Sequence, residues 1–197
     1  MLFLIYYFAT SLFTEYGDWA DERLWNAPEY LLTVNIAKKL WKNNSKKFIT
    51  LENNIKETLE IAKTKSLKDR DSNKMRENGR ADIIIWSYKN GRPKGIIEVK
   101  NYVSGFRKIR KDIDRIIEIL QEDSKMKFGI STFFIDYDTE NNTKNKLINK
   151  IDEIFEELVQ HVEGFELEKH YEEILTELIH EDTKEYSSFA VAFTIKK

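Results

Sequence analysis

The chain has no cysteine, and only 7 glycines and 2 prolines among its 197 residues. The absence of cysteine excludes disulfide bonds, thiolate catalysis and cysteine-ligated metal sites, and it favours a reducing compartment. We therefore expect a cytoplasmic protein. The scarcity of glycine and proline leaves no linker-like or low-complexity tract, so we expect one domain over residues 1–197.

Long hydrophobic runs are also scarce. The longest is "MLFLIYYFATSLF" at residues 1–13, which is too short to span a bilayer. No lysine or arginine precedes it, unlike the start of a signal peptide. We interpret the run as a first helix packed on the domain or at a dimer contact, with a targeting segment as the alternative. We expect no membrane partner.

A net charge of −2 hides two halves of opposite sign. Residues 36–111 contain 21 Lys and Arg against 8 Asp and Glu, whereas residues 112–185 contain 8 against 21. Such a basic block suits a polyanion, nucleic acid above all. The alternative is that basic and acidic faces pair with one another, within one chain or across a homodimer, and the sequence leaves both open.

The hydrophobic pattern predicts an α/β fold, with a mixed sheet flanked by helices on both faces. Helices are predicted after Pro28, within residues 48–63 behind a short extended entry, and over 106–123, and strands over 81–88, 93–101 and 127–138. The first two strands flank an Asn-Gly turn, which predicts an antiparallel hairpin. The third should be central, and parallel to the second across a helical crossover.

The remainder of the pattern predicts a C-terminal helical elaboration. Over about residues 142–182 we expect acidic helices, with a break near Gly164, and a last strand follows at about 187–196. Residues 63–80 are polar and predict a solvated loop.

The hairpin places three charged residues where a buried sheet is expected. Side chains alternate across a strand, so Glu98 and Lys100 share one face. Pairing around Asn90-Gly91, with residue numbers summing to about 181, places Asp82 opposite position 99 and beside Glu98. Two close carboxylates repel unless a cation shares them, and Mg²⁺ is the natural choice for oxygen ligands. An adjacent lysine could orient water or stabilise charge on a phosphate.

These residues carry a resemblance to a known family. The segment "ADIII" followed by "IIEVKN" resembles the PD-(D/E)XK nuclease superfamily, which has the restriction-endonuclease-like fold. The resemblance covers about residues 27–136, and the D…ExK motif falls on Asp82, Glu98 and Lys100, with Ala81 in place of the proline of the family name. It implies these three as catalytic residues. It also implies Mg²⁺, or Mn²⁺ as a substitute, held by Asp82, Glu98 and a glutamate of the preceding helix, Glu29, with Glu22 as the alternative.

The resulting expectation is a Mg²⁺-dependent phosphodiesterase that acts on nucleic acid, with DNA favoured over RNA. Five basic residues are expected to contact the nucleic acid, namely Arg80, Arg107, Lys108, Arg110 and Lys111. The alternative is that the charges form buried ion pairs without metal, on a scaffold that binds nucleic acid or protein without catalysis.

Overall fold

The computed structural model describes residues 28–43, 46–62, 79–122, 125–139, 143–179 and 184–197. The apolar run at residues 1–13, Glu22 and most of the predicted loop 63–80 lie outside these ranges. Within them the helices are α1 (Glu29–Lys42), α2 (Ile55–Ala62), α3 (Arg110–Gln121) and α4 (Thr143–His161). The strands are β1 (Lys47–Asn54), β2 (Arg80–Ser87), β3 (Pro93–Tyr102), β4 (Phe128–Thr139), β5 (Glu166–Ile179) and β6 (Lys184–Lys196).

The predicted hairpin is confirmed, with a register one residue away from the expected one. Gly91 has φ +60°, a left-handed conformation that glycine adopts without steric cost, and its N–H donates to the carbonyl of Ser87 at 2.9 Å. From Ile83 to Ile85, paired residues of β2 and β3 have numbers that sum to 180, whereas Trp86 pairs with Pro93 next to the turn, a sum of 179. Continued by one residue, this register places Asp82 level with Glu98 itself rather than with position 99.

The sheet has the order β1-β2-β3-β4-β6-β5. Strands β3 and β4 are parallel and joined through α3, as predicted, while the other neighbours are antiparallel. The long apolar strand β4 is central, between β3 and β6, which also confirms its prediction. The chain is therefore a mixed α/β protein.

The predicted second acidic helix is wrong. Helix α4 ends at His161, Gly164 turns the chain with φ +77°, and the residues that follow form the edge strand β5. This strand pairs with β6 along its length, from Glu166 opposite Lys196 to Ile179 opposite Lys184. Glutamate and leucine favour helices in isolation, but backbone pairing with a neighbouring strand overrides that weak preference. Charged side chains are common on edge strands, which helps explain the acidic composition.

Helices cover both faces of the sheet, as predicted. Helix α1 packs on one face, where Leu32 and Ile36 join Ile83 and Ile97 in a buried cluster. The other three helices supply the larger core on the opposite face, around residues such as Ile84, Ile96, Ile113, Ile154 and Phe193. None of the helices that the structure describes is long and apolar enough to span a membrane.

Candidate active site

One corner of the sheet gathers the predicted site residues. Strand β2 begins at this corner, β3 ends there, and the first turns of α1 and α3 lie over it. Glu29, Asp82, Glu98 and Lys100 come together as predicted, and α3 adds two further charged residues. We call this group the acidic corner, and its members are Glu29, Asp82, Glu98, Lys100, Asp112 and Arg115.

Glu98 is the most deeply buried member, with 1% of its surface exposed. Its Oε1 atom lies 2.9 Å from Nη1 of Arg115, which forms an ion pair with it. Burial raises the pKa of Glu98 to about 8, although Arg115 opposes this shift. Glu98 therefore holds its proton to a higher pH than an ordinary glutamate does.

Asp82 is held by the backbone of the neighbouring strand. Its Oδ2 atom accepts a hydrogen bond from the N–H of Val99 at 2.7 Å. Burial raises the pKa of Asp82, while that hydrogen bond and the nearby Lys100 act in the opposite direction. The β2–β3 register thus fixes both the position and the orientation of this carboxylate.

Lys100 lies between carboxylates from both helical layers. Its Nζ atom is 3.2 Å from Oε1 of Glu29 on α1 and 3.6 Å from Oδ2 of Asp112 on α3. Burial lowers the pKa of Lys100, but these carboxylates outweigh it and the pKa is raised. The N–H of Asn101 also donates to Oε2 of Glu29 at 3.3 Å, so both oxygens of Glu29 are engaged by β3.

Sequence reasoning missed Asp112 and Arg115. Asp112 is buried, and burial raises its pKa, while Lys100 and Arg115 lower it. The sequence spacing does indicate that Asp112 is buried, because it lies three residues after Ile109 and four before Ile116. Asp112 is therefore on the inward-facing stripe of α3. Arg115, one helical turn further, has an Nη1 atom 3.7 Å from Oδ1 of Asp112. An acidic residue on an apolar stripe is itself a reason to expect a buried cationic partner.

The acidic corner contains four carboxylates and two cations. Oε1 of Glu98 and Oδ2 of Asp112 are buried and accept no hydrogen bond. Nη1 of Arg115 directs its hydrogen bond to the carbonyl of Arg80, at 3.3 Å. The two carboxylate oxygens each face a cation instead, Arg115 at 2.9 Å and Lys100 at 3.6 Å. Carboxylate oxygens are the ligands that a hard cation such as Mg²⁺ prefers, so the donor type fits this ion. In the conformation described, no three acidic, histidine or cysteine side chains of the described ranges are grouped closely enough to hold a metal ion.

The predicted nucleic-acid contacts lie beside this corner. Four of them, Arg107, Lys108, Arg110 and Lys111, are exposed on a 3₁₀ turn and the first turn of α3. Arg80, also exposed, begins β2. The same helix therefore presents cations to solvent and sends Asp112 and Arg115 inward.

A cavity of about 380 Å³ lies beside the end of β3 and the second half of β4. Its lining includes Tyr102, Ser104, Asp136, Lys146 and Lys150. Because Tyr102 follows Lys100 by two residues, the cavity adjoins the acidic corner along β3. Its mixed polar lining suits a polar group of a bound ligand.

Comparison with known proteins gives no match: no family model, no curated protein and no solved structure resembles this chain. The roles of the acidic corner therefore rest on its own geometry and chemistry.

Proposed function

We propose that this chain is a metal-dependent nuclease of the PD-(D/E)XK type, with the restriction-endonuclease-like fold, that hydrolyses phosphodiester bonds in DNA in preference to RNA. One observation carries the proposal. Asp82, Glu98 and Lys100 converge at one corner where carboxylates outnumber cations, and exposed arginines and lysines lie beside it. A fold does not require such an arrangement, whereas cleavage of a phosphodiester uses each part of it.

The donor set supports Mg²⁺, with Mn²⁺ as a substitute. Asp82, Glu98 and Glu29 would hold the ion, and Asp112 is the further carboxylate within this group. When bound, the ion lowers the pKa of a coordinated water and offsets negative charge on the phosphate. The Val99 N–H keeps one oxygen of Asp82 occupied and thereby orients the other.

Lys100 is the residue placed to act on the reacting groups. About 30% of its side chain is exposed, so the ammonium group can reach a phosphate or a water that enters the corner. Its raised pKa keeps it charged, and Glu29 and Asp112 hold it in place from either side. Lys100 therefore positions the attacking water or neutralises charge that develops on the phosphate.

The exposed basic residues bind the nucleic-acid backbone in this proposal. Arg107, Lys108, Arg110 and Lys111 extend from the helix whose inner face completes the acidic corner. Each phosphate that they neutralise releases counterions, so binding weakens steeply with salt. Cations at the start of a helix oppose the helix dipole, a small cost that contacts with phosphates would offset.

The test is cleavage of labelled linear, circular and single-stranded DNA by Lys100→Ala in the presence of Mg²⁺ or Mn²⁺. We expect a loss of about 100- to 1,000-fold in the cleavage rate, the usual effect of removing one charge-stabilising group. Lys38→Ala, at an exposed lysine of α1 outside the corner, is the matched control and should cut at the wild-type rate. The assignment fails if a folded Lys100→Ala protein cuts as fast as wild type.

A second candidate is a nucleic-acid-binding or protein-interaction module without catalysis. The ion pair between Arg115 and Glu98 favours it, because the arginine gives this buried carboxylate a counterion without any metal. Calorimetric titration with Mg²⁺ and Mn²⁺ separates the two candidates. Binding that disappears in Asp82→Asn supports the nuclease, and the absence of binding to the wild-type protein supports the module.

A further inference from the structure

A groove of about 790 Å³ lies at the opposite end of the β2–β3 hairpin from the acidic corner. The turn after β2, the start of β1 and the start of β4 surround it. Five lysines line the groove, together with Ser87, Tyr88 and Phe128. We call it the lysine groove, and its lysines are Lys46, Lys47, Lys89, Lys94 and Lys127.

No carboxylate of the described residues neutralises the positive charge of the lysine groove. None of the five ammonium groups forms an ion pair with a carboxylate in the described ranges. Lysines elsewhere do pair, as Lys150 does with Glu153 and Lys169 with Asp152. Like charges gathered in a concave surface focus the electrostatic potential and attract an anion.

Aromatic rings give the groove a second kind of surface. Tyr88 has 63% of its surface exposed, and its ring packs edge-on against Phe48 with centroids 5.6 Å apart. Phe48 in turn stacks on Trp86, whose indole N–H donates to Thr50 at 2.6 Å. Tyr88 is therefore an exposed ring supported from behind by a fixed aromatic pair.

The second aromatic residue of the groove depends on a glycine. A Cβ atom at Gly95 would lie 2.4 Å from the ring of Phe128. The ring therefore occupies the space that the side chain of any other amino acid at position 95 would need. The close contact fixes Phe128 over the strand, beside Lys94. The groove thus combines lysines with positioned aromatic rings.

We propose that the lysine groove binds a single-stranded segment of nucleic acid, with phosphates on the lysines and a base stacked on Tyr88. Positively charged grooves with aromatic platforms bind single strands without a sequence requirement, because every base has a face that stacks. An acidic protein surface is the less suitable partner, because it would contact the lysines and leave the exposed ring of Tyr88 unused. Ser87 lies five positions after Asp82 on β2, roughly 17 Å along the strand, so the groove is a separate site that does not depend on catalysis at the acidic corner.

The test measures the anisotropy of a labelled single-stranded oligonucleotide of about 16 nucleotides, with EDTA present to prevent metal-dependent cleavage. Lys89→Glu/Lys94→Glu should weaken binding at least about tenfold and should reduce the salt slope by about 1.4, or 0.7 for each lost phosphate contact. The control Lys38→Glu/Lys56→Glu has the same charge change at exposed sites outside the groove. It should weaken binding no more than about threefold. Melting curves check that all variants are folded.

The aromatic part is tested by Tyr88→Ala and Tyr88→Phe. The alanine variant should bind about tenfold more weakly because a stacking surface is lost, and the phenylalanine variant should bind like wild type. Three results would overturn the proposal: equal effects of the two charge reversals, no effect of Tyr88→Ala, or competition by polyglutamate as strong as that by single-stranded DNA. The last result would identify an acidic polypeptide as the partner.

Discussion

The acidic corner and the lysine groove occupy opposite ends of one hairpin, and they differ in whether their charged side chains are paired and buried or unpaired and exposed. In the corner, Glu98 on β3 is buried and forms an ion pair with Arg115 on α3. In the groove, lysines such as Lys89 and Lys127 are exposed and have no carboxylate partner in the ranges described. The charges of the corner are therefore coupled to the fold, whereas those of the groove are available to an external anion.

The comparison shows that an excess of charge has two different physical consequences. Burial raises the pKa of Asp82, Glu98 and Asp112, so the corner stores unfavourable electrostatic energy within the folded state. The charges of exposed lysines are screened by water and salt, so they change the free energy of unfolding little. Changes at the two ends should therefore differ most clearly in stability, and the predictions below run from the largest expected difference to the smallest.

Arg115→Ala should destabilise the fold by about 3 kcal/mol above the Glu98 pKa of about 8, because it leaves a buried carboxylate without its counterion. At about pH 6 the loss should be smaller, since Glu98 then carries a proton. Lys94→Ala in the groove should change the free energy of unfolding by no more than about 0.5 kcal/mol. Urea denaturation at the two pH values measures both variants. Equal losses would show that the corner pair is no more coupled to the fold than a groove lysine.

Glu98→Gln should reduce the dependence of stability on pH. The folded-state pKa of Glu98 is about 8 and its ordinary value is 4.5, so between these limits the folded state holds a proton that the unfolded state releases. Wild-type stability should therefore fall as pH rises through this window, by at most about 1.4 kcal/mol per pH unit from this group. Asp82 and Asp112, with pKa values raised in the same direction, leave a residual slope. The measurement is the melting temperature of wild type, Glu98→Gln and the exposed control Glu60→Gln at several pH values between 4.5 and 8. The prediction is contradicted if Glu60→Gln reduces the pH dependence of the melting temperature as much as Glu98→Gln does.

Replacing either of two glycines on neighbouring strands by alanine adds one methyl group, and each replacement should affect a different one of the two regions. A Cβ atom at Gly129 would lie 2.1 Å from Cγ2 of Ile116 on α3, so Gly129→Ala should cost about 1–3 kcal/mol and displace the helix that carries Arg115. Gly95→Ala meets only the outer edge of the Phe128 ring and should cost less. We expect Gly129→Ala to alter the pH slope of stability, and Gly95→Ala to alter oligonucleotide binding without changing that slope. The opposite assignment of effects would break the distinction between the two ends.

The part of the site that the sequence predicted is the part encoded by local rules. Asn90-Gly91 specifies the turn, and strand alternation places Glu98 and Lys100 on one face. The helix that begins after Pro28 delivers Glu29 to the same corner. The error in register came from the turn, which pairs Trp86 with Pro93, and the irregularity between Ile85 and Trp86 only partly corrects it.

The parts that could not be predicted depend on partners distant in the chain. Strand β5 exists because β6 pairs with it, and its own composition favours a helix. Arg115 lies on the α3 stretch that the hydrophobic pattern predicted, but its role emerges only when α3 packs across β3 and meets Glu98. Periodicity identifies a buried position on a helix, and it does not identify which strand residue lies beneath that position.

The central position of β4 has a consequence for the order of assembly. The β2–β3 and β5–β6 pairs are each local in sequence and can form within microseconds, whereas β4 must join them through contacts such as Phe128 with Lys196. We expect Asp82 and Glu98 to become neighbours early, and Arg115 to reach them only when the Gly129–Ile116 contact closes the crossover. Pulsed hydrogen exchange would show this as protection of the β2–β3 amides before those of β4. Until that closure, the nascent corner is a cluster of hydrated carboxylates, and its proton affinity is a property gained late in folding.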